Sequence, residues 1–174
     1  MRVLVLGGIR SGKSQWAESA VAASGPGAVR YLATGPTADD DAWSARVAAH
    51  RSRRPESWTT IETTDVATQL RSGGPAPTLV DDIGGWLTAA MDRAGAWTGG
   101  SVAADVDDLV DAVAGHRGGL VLVSPEVGLT VVPETPAGRR FADELGVLNQ
   151  RLASLCDRVV LVVAGQPVAV KGPA

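Results

Sequence analysis

Along the chain, short continuous apolar runs alternate with longer segments in which apolar residues recur every three or four positions. The runs are Arg2 to Leu6, Ala28 to Thr34, Pro77 to Asp81, Gly119 to Ser124 and Arg158 to Ala164. Because they are continuously apolar, each is expected to be a strand covered on both faces. Between them, Lys13 to Ala23, Asp40 to Arg53, Gly85 to Ala94, Val102 to Ala114 and Pro136 to Cys156 read as helices. The last is the best defined: Phe141, Leu145, Leu148, Leu152 and Leu155 form one stripe that must face a core. Strand alternating with helix predicts an α/β fold with a mostly parallel central sheet flanked by helices. Two pieces depart from that rhythm. Val127 to Val132 is a short β-branched run ending at Pro133, and Pro167 to Lys171 reads as an antiparallel edge strand or one arm of a hairpin after Gly165. With no linker or repeat in between, residues 1–174 are expected to form a single domain.

Composition narrows the class. Of the 174 residues 45% are hydrophobic and 20% charged, enough burial to fold without metals or disulfides. One cysteine, Cys156, excludes an intramolecular disulfide and fits a reducing cytoplasm. The net charge of −3 and pI near 5.3 argue against a nucleic-acid partner, since such binding needs many phosphate-neutralising cations. No apolar run reaches the roughly 18 residues that span a bilayer. The first residues enter a strand pattern without a leader, so a soluble, cytoplasmic protein with no membrane span is expected.

Directly after the first strand comes Gly7-Gly8-Ile9-Arg10-Ser11-Gly12-Lys13-Ser14, a G-x-x-x-x-G-K-[ST] loop in its strand-to-helix setting. Glycines let successive N–H groups turn inward, the helix adds its positive end, Lys13 neutralises β- and γ-phosphate oxygens, and Ser14 supplies a Mg2+ ligand. Lys13 is one of only two lysines. A magnesium-coordinating acid is expected at the end of another parallel strand, and Asp81 closes such a run. Its neighbour Asp82 is equally suited to capping the helix that follows.

The two histidines sit in different company. His116 follows a helix beside Arg117 and a Gly-Gly turn, and is expected to be exposed at a helix C-terminus. His50 shares one helical side with Arg46, Arg53 and Arg54. Guanidiniums there would take triphosphate oxygens, and clustered positive charge would favour the neutral, nucleophilic imidazole. Trp43, Val47 and His50 also lie at i, i+4 and i+7, which instead makes His50 the continuation of an apolar stripe. Spacing leaves both readings open.

Taken together these segments resemble the bifunctional adenosylcobinamide kinase / adenosylcobinamide-phosphate guanylyltransferase family of cobalamin biosynthesis. The resemblance runs through the Gly7 to Ser14 loop with Ala17-Glu18, Tyr31 to Thr34, Asp40 through Arg46-Val47 to His50-Arg51, Arg54-Pro55, Trp58 and Glu62. It continues in Glu126 to Leu129, Val132 to Glu134, Arg139 to Phe141, Leu145-Gly146 and Asn149 to Ala153. It implies a RecA-like P-loop NTPase fold, a homotrimer, and an enzyme that phosphorylates adenosylcobinamide with ATP or GTP. GMP from GTP then passes through a guanylylated histidine, matched here by His50, to adenosylcobinamide phosphate. By the same resemblance, nucleotide contacts fall at Gly7, Gly8, Ile9, Arg10, Ser11, Gly12, Lys13 and Ser14, at Thr34, Gly35 and Pro36, at Arg51, Ser52, Arg53 and Arg54, and at Glu62 and Asp81. Asp82 stands where the family commonly has cysteine, and Pro125 where asparagine often precedes Glu-Val-Gly. The competing readings are a plain small-metabolite P-loop kinase with no covalent intermediate, and a nucleotide-gated switch.

Overall fold

The computed structural model describes residues 1–23, 27–35 and 54–172. Among them, seven strands form one sheet: β1 (Arg2–Gly7), β2 (Arg30–Ala33), β3 (Thr59–Glu62), β4 (Thr78–Asp81), β5 (Leu120–Pro125), β6 (Arg158–Val163) and β7 (Gln166–Lys171). Their order is β3-β2-β4-β5-β1-β6-β7. The first six run parallel, and β7 pairs antiparallel with β6 at one edge. The described helices are α1 (Lys13–Ala22), α2 (Val66–Ser72), α3 (Ile83–Ala94), α4 (Ala103–Gly115) and α5 (Pro136–Leu155). A mostly parallel sheet with helices and an antiparallel edge is the architecture the apolar runs predict. The helix expected over Asp40 to Arg53 lies outside the described residues.

Strands buried on both faces send alternate side chains to opposite cores. On β1, Val3 and Val5 join Val21 of α1 together with Val121, Val123, Val160 and Val162. Leu4 between them joins the larger cluster with Leu87 of α3, Leu109 of α4 and Leu145, Leu148 and Leu152 of α5. Among the described helices, α1 therefore packs on one face and α2 to α5 on the other. The stripe on α5 does face this core, with Phe141 and Leu155 packed at its margins.

Several expectations need correction. β3 and α2 fall in a stretch without a strong apolar pattern, because β3 is an edge strand of mixed exposure and α2 is only seven residues long. The run Val127 to Val132 is not a strand; it leaves the sheet after Pro125 as irregular chain with Leu129, Val131 and Val132 exposed. His116 is buried, not exposed: it ends α4 where that helix packs on α2, and its Nδ1 lies 3.1 Å from the Leu70 carbonyl. Cys156, buried behind α5, has its thiol pushed up to about 11 by burial, so it stays protonated.

One buried polar contact joins α5 to the sheet. Ser124 Oγ donates to Asn149 Oδ1 at 2.6 Å, and Asn149 Nδ2 donates to the Pro125 carbonyl at 3.1 Å. Asn149→Leu keeps the volume but leaves the Ser124 hydroxyl and a β5 carbonyl without their partner. Such orphaned groups cost about 1–3 kcal/mol. Urea unfolding is expected to show a loss of that size with an unchanged m value.

Candidate nucleotide site

The site grows from the C-terminal edge of the parallel strands. β1 ends at Gly7, where an added Cβ would sit 2.9 Å from the Val162 carbonyl and press on Ser11. The chain then curls: Ser11 N–H donates to the Gly8 carbonyl at 3.3 Å, and Arg10 and Gly12 take positive φ of 54° and 93°. Gly12 is the N-cap of α1 and supplies no side-chain acceptor. The first N–H groups of the helix are thereby left to face an anion, as phosphate-binding loops require.

The turn of the β6–β7 hairpin braces this loop from the side. Gly165 N–H donates to the Ser11 carbonyl at 2.8 Å, and a Cβ on Gly12 would lie 3.2 Å from Gly165 Cα. Both the left-handed backbone and the close approach demand glycine at position 12.

Asp81 closes β4, two strands away from β1. Its Oδ1 accepts from Ser14 Oγ at 3.3 Å, and its Oδ2 accepts from the Tyr31 hydroxyl at 2.5 Å. Burial and the Asp81 charge both raise the Tyr31 pKa, so the phenol stays protonated as donor. The Arg54 guanidinium stacks over the Tyr31 ring at 3.3 Å, donates to Thr60 Oγ1 at 3.0 Å, and approaches Glu18 at 3.9 Å. Trp58 packs against Tyr31 with ring centroids 6.4 Å apart.

Asp82 takes the capping role: its Oδ1 accepts from Gly85 N–H at 2.7 Å at the start of α3. Burial raises its pKa, the Gly85 N–H opposes the rise, Asp81 adds to it, and Lys13 opposes it further. Thr34 Oγ1 donates to the Asp82 carbonyl at 2.5 Å and accepts from the Asp82 N–H at 2.9 Å. Glu126 N–H donates to the Gly7 carbonyl at 3.1 Å, fixing the loop after β5 beside the phosphate loop.

Gly7 to Ser14, Thr34, Gly35 and Asp81 thus share one edge of the sheet, and Glu62 ends β3 at that edge, level with Ala33. The buried Thr34 hydroxyl is engaged by Asp82 and the Arg54 side chain by Tyr31, Thr60 and Glu18, so both shape the site from within rather than presenting those groups to a phosphate. His50, Pro36, Arg51, Ser52 and Arg53 lie outside the described residues. Sequence reasoning assigned no role to Tyr31 or Glu18. The available signal was that Tyr31 is the only tyrosine, placed inside a predicted strand.

Ser14 Oγ and Asp81 Oδ1 are hard oxygen donors at hydrogen-bond separation beside the phosphate loop. Mg2+ typically takes one or two such groups and completes its shell with water and phosphate oxygens. The donor set therefore fits Mg2+. Among the described residues no group of three or more His, Cys, Asp or Glu forms a metal site independent of a nucleotide.

Residues 3–170 match the cobinamide kinase / cobinamide phosphate guanyltransferase family. The bifunctional adenosylcobalamin biosynthesis protein CobP of Pseudomonas aeruginosa is 42% identical over 177 residues, covering 99% of this chain and 98% of that protein. The bifunctional adenosylcobalamin biosynthesis proteins CobU of Escherichia coli and Salmonella typhimurium are each 35% identical over 191 residues, covering 98% of this chain and all of theirs. Of solved structures, the P4 protein from bacteriophage phi6 in complex with ADP covers 96% of this chain and 53% of that chain, at 14% identity and a TM-score of 0.45, too loose a likeness to argue from.

Gly12→Ala is expected to weaken GTP binding by roughly tenfold or more, because the loop must leave its left-handed turn and move off Gly165. Equilibrium dialysis with GTP, beside a thermal melt, separates this from a loss of fold.

Proposed function

The chain belongs to the cobinamide kinase / cobinamide phosphate guanyltransferase family, and on that premise we propose how its residues divide the work. The protein is a bifunctional kinase and guanylyltransferase of adenosylcobalamin biosynthesis. It phosphorylates adenosylcobinamide and then transfers GMP from GTP to adenosylcobinamide phosphate, giving adenosylcobinamide-GDP. The observation that carries this reading is the Gly7 to Ser14 loop opening α1 with Ser14 held at Asp81, in a chain that matches the family from end to end.

For the kinase step the acceptor is a neutral hydroxyl, and positioning it in line with the γ-phosphate is the main task. N–H groups of Gly7 to Ser14 and the Lys13 ammonium hold the phosphate oxygens. Ser14 and Asp81 would hold Mg2+, which when bound offsets charge on the β- and γ-oxygens. Glu126, pinned beside Gly7, is placed to orient the hydroxyl.

For the guanylyl step, neutral His50 attacks the α-phosphorus of GTP. A P–N bond forms as the bond to the departing pyrophosphate breaks. An oxygen of adenosylcobinamide phosphate then attacks the same phosphorus, the P–N bond breaks, and His50 returns to the neutral form. A covalent relay avoids bringing the triphosphate of GTP and the phosphate monoester of the acceptor together in one step. Lys13, Arg51 and Arg53 are the cations this charge calls for, with Arg54 holding the site from within against Tyr31, Thr60 and Glu18. Gly35, Pro36, Ser52 and Glu62 complete the nucleotide contacts, while Thr34 shapes the site through Asp82.

No described helix is long and apolar enough to cross a membrane. A cytoplasmic location agrees with the single cysteine, Cys156, which stands as a free thiol. A homotrimer agrees with Val163, Val168 and Val170, which stand exposed on the edge hairpin.

Two experiments test these assignments. Incubation with α-labelled GTP and Mg2+ should leave an acid-labile, base-stable label on the protein that His50→Ala abolishes. A protein that never retains label while passing γ-phosphate to adenosylcobinamide would be a simple kinase. Tyr31→Phe removes the donor that orients Asp81, so the Mg2+ concentration giving half-maximal GTP affinity should rise about three- to tenfold, with metal-free GTP binding unchanged. Titration of Mn2+ by its paramagnetic signal reads the same shift without turnover.

A further inference from the structure

The acceptor must bring a small hydroxyl or phosphate over the Gly7 to Ser14 loop while its large macrocycle lies somewhere beside it. Tryptophans are the obvious candidates to receive an extended ring, but the described ones are committed elsewhere. Trp86 is buried in the main core, Trp16 and Trp58 pack on the second core, and Trp97 stacks on Phe141 with centroids 6.2 Å apart. Among the described residues, four aliphatic side chains stand exposed on the phosphate loop and on the segment that leaves β5 beside it. Ile9 on the loop itself is 93% exposed, and Leu129, Val131 and Val132 after β5 are 77%, 87% and 71% exposed.

These side chains come from adjacent strand ends. Gly7 pairs with Pro125 in the β1–β5 register, and Glu126 N–H donates to the Gly7 carbonyl. The segment that carries them is also built rather than loose. At its start Glu126 Oε1 accepts from Gly128 N–H at 2.8 Å. At its end Arg139 Nη1 donates to the carbonyls of Pro133 and Glu134 at 3.0 and 2.7 Å. A segment that starts beside the phosphate loop, is anchored at both ends and turns three aliphatic side chains to water carries an exposed apolar surface in need of an occupant. Ligand sites combine such a surface with a few fixed polar groups, and Glu126 supplies one here.

Resting on the kinase and guanylyltransferase reading above, we propose that Leu129, Val131 and Val132, together with Ile9 of the phosphate loop, form the platform that receives the apolar face of the corrin macrocycle. The ring lies against the four aliphatic side chains and keeps its peripheral amides in water. Its aminopropanol arm reaches over Gly7 toward the bound nucleotide. The segment after β5 then sets how far the acceptor hydroxyl stands from the γ-phosphate. Binding of nucleotide does not depend on it.

The test compares the full-length protein with Leu129→Ser/Val131→Ser/Val132→Ser and with Leu129→Ile/Val131→Ile/Val132→Ile, which keeps the apolar area. Adenosylcobinamide binding is read from its visible spectrum, and GTP binding, α-labelling and sedimentation are followed alongside. The serine variant should lose roughly tenfold or more in acceptor affinity, while GTP affinity, labelling and mass stay native and the isoleucine variant recovers most of the loss. Unchanged acceptor affinity in the serine variant overturns the proposal. So does a lower oligomeric mass for that variant, which would make a second copy of the chain the occupant. If the native protein takes the α-label but binds no adenosylcobinamide, only the acceptor assignment falls. If it neither labels nor binds, the reading beneath the proposal falls with it.

Discussion

The nucleotide edge depends on the hydrogen-bond register of three parallel strands. β5 pairs Val123 with Asp81 on one side and with Val5 on the other, which sets Asp81 two residues below Gly7 across the sheet. From that level the Asp81 carboxylate accepts from Ser14 Oγ in the first turn of α1. A slip of one residue in either pairing would turn Asp81 to the opposite face. The apolar packing that covers both sides of β4, β5 and β1 is therefore also what keeps the Asp81 carboxylate next to the Gly7 to Ser14 loop.

Around that frame the polar groups are arranged in layers. Ser14 and Asp81 touch, Tyr31 steadies Asp81 from behind, and Arg54 lies on Tyr31. Arg54 thus reaches Asp81 through the ring of Tyr31 rather than directly. On the opposite flank, the hairpin turn at Gly165 supports the phosphate loop through Ser11. Loop and acid are each held from outside, as a preorganised charged site requires.

Much of this was legible in the residue order because its signals are local. The Gly7 to Ser14 loop needs only a strand before it and a helix after it, and Asp81 needs only to end an apolar run. Whether Asp82 caps the next helix or joins the site stayed open in the sequence, and its bond from Gly85 N–H at the start of α3 gives it the cap. Tyr31 was different: its role depends on β2 lying beside β4 with Ala33 opposite Asp81, and no short stretch of sequence records that pairing. His116 was misjudged for the same reason, since the Leu70 carbonyl that receives it belongs to a helix 46 positions away. β3 and α2 escaped because a short edge strand and a two-turn helix bury too few apolar residues to leave a period.

The contact of Asn149 with Ser124 and Pro125 also limits how this family of chains can vary in length. Each residue added to or removed from a helix rotates everything beyond it by about 100°. One residue inserted between Asn149 and the end of α5 would leave either that amide or the following strand β6 out of place. Additions at the other end of α5, ahead of Phe141, would only lengthen a stretch that lies beyond the amide. Natural insertions and deletions should therefore gather in the first turn of α5, ahead of Phe141, and spare the two turns that separate Asn149 from Cys156.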